Sequence, residues 1–106
     1  MNAMHYFFCK LHSPRATFPA DITPEEGALM KAHADYWREQ MHKGHVIVFG
    51  PVMDPATAYG ILVMQLPEGM APEPLINGDP VIQAERGFRF ECHPMRAVLP
   101  QQGVSA

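Results

Sequence analysis

The order of apolar segments, turn signals and helix caps along this chain predicts an α+β fold, β-α-β-β-α-β, with a four-stranded antiparallel sheet covered on one face by two helices. Three observations carry the prediction. A capped amphipathic stretch opening at Thr23 stops at Gly44 and runs straight into an apolar, β-branched segment, HVIVFGPV. A second apolar segment, YGILVMQL, follows after a short turn, which favours an antiparallel hairpin. Near the end of the chain, FRFECH alternates apolar and polar residues, the period of a half-buried strand. A length of 106 residues suits one domain over 1–106, with a core over 4–98 and a tail over 99–106.

In chain order, MHYFFCKL (4–11) is rich in strand-forming aromatics and apolar on both faces, which predicts a strand covered on both sides or central in the sheet. Residues 12–22 carry Ser13, Pro14 and Pro19 and form a loop. Thr23 at N-cap, Pro24 at N1 and Glu26 at N3 make a capping box with the favoured proline. Met30, His33, Ala34, Trp37 and Met41 then recur at three- and four-residue steps, one helical stripe, and Gly44 supplies the stop. The strand over 45–52 is broken by Gly50-Pro51, a turn over 53–58 contains Asp54-Pro55, and the partner strand runs over 59–66. A loop over 67–74 follows, and Asn77-Gly78 breaks any helix there. Asp79-Pro80 reads as N-cap and N1 of a second helix, VIQAER, stopped by Gly87. The final strand directs Phe88, Phe90 and Cys92 inward and Arg89, Glu91 and His93 outward. This succession is the split βαβ, ferredoxin-like plan.

Composition narrows the function. Net charge is −3 with pI near 6.0 and no run of Lys or Arg, which argues against nucleic acid and anionic membrane surfaces as partners. No apolar run approaches the roughly 20 residues that span a bilayer, and MNAMHYFFCK lacks the basic region and cleavage site of a signal peptide. A cytoplasmic protein is expected, and its two cysteines, Cys9 and Cys92, are expected to be reduced core residues.

His33 is the first residue that needs a chemical explanation, because a ring in the middle of an apolar stripe must find partners for two nitrogens. It is either a core histidine bonded to backbone or a general acid–base group held by a carboxylate. Asp79 is the best carboxylate for it, since one oxygen can cap a helix while the other faces the ring. Asp54, also before a proline, is the rival. Six histidines are present but no HxH, HExxH or CxxC spacing, so neither a metal nor a cofactor is expected. No nucleophile presents itself: Ser13 and Ser105 fall in irregular segments, and neither cysteine opens a helix. Tyr36, Trp37, Met30 and Met41 read as core, and a pocket between helix and sheet would take its walls from the same residues.

Two segments, HADYWREQMHKGHVIVFGP and GDPVIQAERGF, resemble the YciI-like (YCII-related) family in their histidine-bearing helix, glycine stop, Gly-Pro-ended strand and Asp-Pro before the final strand. The resemblance covers residues 4 to 98 and implies a dimeric α+β barrel, a homodimer joined through the open sheet face. It implies His33 and Asp79 as a catalytic pair, and Tyr36, Trp37, Gly50 and Pro51 are the residues expected to contact a small-molecule substrate. PEGMAPEPLING departs from the fuller helix usual in relatives, so the shape of the pocket is not inherited. The expected function is a cofactor-free enzyme moving a proton, in isomerisation or elimination, on a small cyclic or aromatic organic acid. A non-catalytic ligand-binding module and a structural homodimer stay open beside it.

Overall fold

A computed structural model describes residues 3–100, so positions 101–106 of the expected tail, Ser105 among them, lie outside the described residues. The elements are β1 (Met4–His12), α1 (Pro24–His42), β2 (Val46–Val52), β3 (Tyr59–Pro67), α2 (Glu73–Asn77), α3 (Pro80–Gln83) and β4 (Arg89–Met95). They form an α+β structure with a four-stranded sheet in the order β2-β3-β1-β4, every neighbouring pair antiparallel. The doubly apolar β1 is accordingly an inner strand. No helix among the described residues is long and apolar enough to cross a membrane.

Helix α1 begins and ends for local reasons. The Thr23 side chain accepts from the Glu26 amide and the Glu26 side chain accepts from the Thr23 amide, closing the capping box. Gly44, at φ 85°, turns the chain out of the helix in a conformation a side chain would strain. The stripe delivers Trp37, fully buried, onto Cys9, Leu62, Met64 and Leu66 of the sheet. A second cluster of Leu11, Phe18, Val81 and Phe88 lies under the 13–22 loop. Alternation leaves Phe8, Val48 and Val63 on the opposite face of the sheet, where neither cluster includes them and Val48 is 46% exposed.

The structure departs from the sequence reading between 67 and 95. The stretch 73–77 is a one-turn helix, α2, not a loop. Pro74 sits in its first turn, where the missing N–H costs nothing, and Gly78 ends it. Helix α3 stops at Gln83, short of Gly87, because Glu85 takes φ 53° and ends the regular turn early. Strand β4 continues through Pro94 to Met95, which the edge position allows since one side of the strand makes no ladder bonds. The expectation of reduced cysteines is corrected. Cys9 and Cys92 face each other in register across β1 and β4, with Cα atoms 4.1 Å apart, and form a disulfide. Residues 83 positions apart in sequence gave no sign of that register.

The 12–22 loop is fastened to α1 by Arg15. Its guanidinium donates to both Asp21 carboxylate oxygens at 2.9 Å, to the Asp21 carbonyl at 2.9 Å, and to both Glu26 oxygens at 2.7 Å. Arg15, then the Thr23 amide, lower the Glu26 carboxyl from 4.5 to about 2, and Arg15 and Thr17 lower Asp21 as well. A depressed carboxyl stabilises the fold above its unfolded value and loses that contribution as pH falls through the folded one. The clamp should therefore act fully above pH 4.5 and fade toward pH 2. Thermal melts of wild type and Glu26→Gln across that window provide the measurement. The gap in melting temperature is expected to narrow on acidification, and a pH-independent gap would exclude a charge-based clamp.

Candidate functional site

His33 lies midway along α1 and Asp79 at the N-cap of α3, and packing of these two helices brings 46 positions of sequence separation down to one hydrogen bond. Nδ1 of His33 is 2.6 Å from Asp79 Oδ2. The same oxygen accepts from the Trp37 indole N–H at 2.7 Å, and Oδ1 accepts from the Val81 amide at 2.9 Å. Asp79 is fully buried, so every one of these bonds forms away from water, where leaving one unmade is costly. Its two sequence-derived roles, helix cap and histidine partner, coexist on separate oxygens. Asp54 does not compete: it caps the Ala56 amide at 2.8 Å in an exposed turn.

The hydrogen-bond inventory assigns the ring proton. An indole N–H and a backbone amide can only donate, so both Asp79 oxygens are engaged as acceptors. Nδ1 completes the set as a donor, and the neutral ring then carries its lone pair on Nε2. No hydrogen bond is made to Nε2 among the described residues, and none of their buried polar side-chain atoms lacks a partner. Nε2 is thus accessible, and His33 lines a cavity of about 280 Å³ between α1, the 13–22 loop and one end of the sheet.

Of the six residues expected at the site, His33, Trp37, Gly50 and Pro51 line this cavity. Asp79 stands behind the imidazole. Tyr36 is directed elsewhere: its hydroxyl donates to the Leu75 carbonyl at 2.7 Å, bracing the turn that leads into Asp79. Burial, and then the Asp79 carboxylate, raise the Tyr36 hydroxyl above its ordinary 10.0, which keeps it a donor. Gly78 is where that brace passes, since a Cβ there would collide with the Tyr36 hydroxyl.

Several walls escaped the sequence reading. Phe18 and Ser13 come from the loop, Phe49 and Tyr59 from β2 and β3, and Phe88 and Phe90 from the start of β4. The Phe90 ring lies near parallel to the imidazole, centroids 6.3 Å apart. Alternation in FRFECH marked Phe88 and Phe90 as inward, and that was the available signal. The loop residues carry no periodicity that could have placed them.

A second polar cluster sits on the other sheet face, where Glu91 bridges His12 at 2.8 Å and His93 at 2.7 Å. These bonds, from His93 first and His12 second, lower the Glu91 carboxyl to about 2. Neither this trio nor any other group of three or more His, Cys, Asp and Glu among the described residues has the arrangement of a metal site. Comparison with protein-family models, with curated proteins and with solved structures gives no match to this chain.

Proposed function

We propose that the chain is a small cofactor-free enzyme in which His33 moves a proton on a small cyclic or aromatic organic acid, by isomerisation or elimination. The carrying observation is the 2.6 Å contact between His33 Nδ1 and the buried Asp79, with Nε2 open to an apolar cavity. Asp79 fixes the tautomer and stabilises the imidazolium formed when Nε2 takes a proton, as a carboxylate does behind other catalytic histidines. Proton abstraction beside a carbonyl is the step common to both reaction types. Membership of the YciI-like family and its ferredoxin-like plan are part of the proposal, and the sheet order β2-β3-β1-β4 supports the plan. So is a homodimer joined through the face bearing Val48 and Val63, whereas the Cys9–Cys92 disulfide, a bond rare in the cytoplasm, weighs against the cytoplasmic setting expected from the sequence.

The test is solvent exchange, which detects proton abstraction without knowledge of the product. In D2O, a panel of cyclic and aromatic carbonyl compounds, some with a carboxylate and some without, should include members that gain deuterium beside the carbonyl with wild type. With His33→Ala the rate is expected to drop by about 10²- to 10⁴-fold. Equal rates would sink the assignment. One observation favours a non-catalytic reading: Asp79 also caps α3 and holds Trp37, so the same contacts fasten the helices together. That reading requires no exchange with either protein.

A further inference from the structure

The chemistry of the cavity narrows what enters it, an inference that rests on His33 being the working residue of the site. The walls are aromatic and aliphatic, from Phe18, Phe49, Trp37, Phe88 and Phe90 among others. Among the described residues that line it, none is Lys, Arg, Asp or Glu. The polar side chains on it are His33, Ser13, Tyr59 and the Trp37 indole. Ser13 already donates its hydroxyl proton to the Ala58 carbonyl at 3.1 Å, and the Trp37 N–H is spent on Asp79. The Tyr59 ring lies under the Lys10 ammonium, 4.3 Å from its centroid. The Tyr59 hydroxyl and His33 Nε2 are therefore the polar groups on these walls that no hydrogen bond among the described residues occupies, and in the neutral ring, with Nδ1 donating to Asp79, Nε2 is an acceptor.

An acceptor set in an apolar chamber selects against charge. A carboxylate moved from water into such walls loses its hydration and is repelled by the Nε2 lone pair. A molecule presenting an acidic hydrogen to Nε2 gains a hydrogen bond, and its ring replaces cavity with contact. At the packing density of a protein interior, about 0.74, a cavity of about 280 Å³ holds a molecule of roughly 200 Å³, the bulk of one substituted ring or two fused ones. We propose that the ligand of this cavity is an uncharged ring compound carrying one O–H or acidic C–H directed at His33 Nε2, and not a ring carboxylate. Within the proton-transfer reading, the organic acid on which His33 acts is thus an oxygen or carbon acid that arrives protonated.

Trp37 is the chain's single tryptophan and lines the cavity, so its fluorescence reports occupancy directly. Three probes of similar size separate the possibilities at neutral pH: 4-ethylphenol, its methyl ether 4-ethylanisole, and 4-ethylbenzoate. The phenol is expected to bind at least tenfold more tightly than either of the others, and His33→Ala should remove its advantage over the ether while both still bind. Equal or tighter binding of the benzoate overturns the proposal, as does an ether that binds as well as the phenol, a preference that survives in His33→Ala, or no binding at all. These outcomes are separate from the fate of the exchange assay. A phenol preference without deuterium incorporation removes catalysis and leaves the ligand class standing, whereas incorporation into a carboxylate probe with no phenol preference does the reverse.

Discussion

Asp79→Ala should be among the most damaging single substitutions in the chain, lowering stability by about 3–5 kcal/mol. The carboxylate is fully buried and accepts from the Val81 amide, the Trp37 indole and His33. Alanine leaves the N-cap of α3 empty, a loss of about 1 kcal/mol, and strands the indole N–H without a partner, a further 1–3 kcal/mol. A marginal domain holds roughly 5–15 kcal/mol in all, so the urea midpoint should fall steeply. Asp79→Asn makes the informative companion. It keeps the shape and one oxygen, so the cap can persist and the cost should be smaller. With the cap kept, its NH2 group takes the place of the oxygen that serves both the indole N–H and Nδ1; the indole loses its acceptor, and Nδ1 can accept from the NH2 only if the imidazole turns to the other tautomer. Deuterium exchange should thus be lost in both variants while stability separates them. An alanine variant with an unchanged urea midpoint would mean that these three buried bonds contribute nothing net.

How far the sequence discloses this arrangement follows from the range over which its signals act. Caps and periods are local, so Thr23, Pro24 and Glu26 announce α1, and Gly44 its end, from sequence alone. The central place of β1 is legible for the same reason, since both its faces are apolar. Asp79 is legible as a cap by its Pro80 neighbour, and as the partner of His33 only as the preferred candidate, which the family resemblance also implies, with Asp54 still open as a rival. The sharing of Asp79 Oδ2 with Trp37 depends on the packing of α1 against α3, which no spacing encodes. Tyr36 is instructive here. Adjacent to Trp37 and equally aromatic, it lies about 100° further around the helix, and that rotation sends its hydroxyl to Leu75 and away from the cavity. The Arg15 clamp and the pairing of Cys9 with Cys92 are likewise products of tertiary register. Residues 67–87 resisted reading because prolines and glycines there punctuate elements of four and five residues, too short to show a period.

Val63→Glu should convert the proposed dimer to monomer. Val63 stands at the middle of the sheet's open face, with Val48 and Phe8 as its cross-strand neighbours. In a two-fold interface each copy offers the same patch to the other, so one substitution buries two carboxylates against apolar surface at a cost of several kcal/mol each. The effect on the monomer should be slight, because Leu62 and Met64, which carry the core, point the opposite way. Sedimentation decides it: wild type should run at about twice the chain mass of 11.8 kDa and the variant at that mass. Wild type that itself runs at the single-chain mass would remove the dimer. The variant then asks a further question of the site. His33, Trp37 and the aromatic walls of the cavity all come from the chain itself, so monomeric Val63→Glu should bind 4-ethylphenol as the wild type does. A loss of binding on dissociation would mean that the second copy holds the cavity in shape from behind, through the β2–β3 end that carries Phe49, Gly50 and Tyr59.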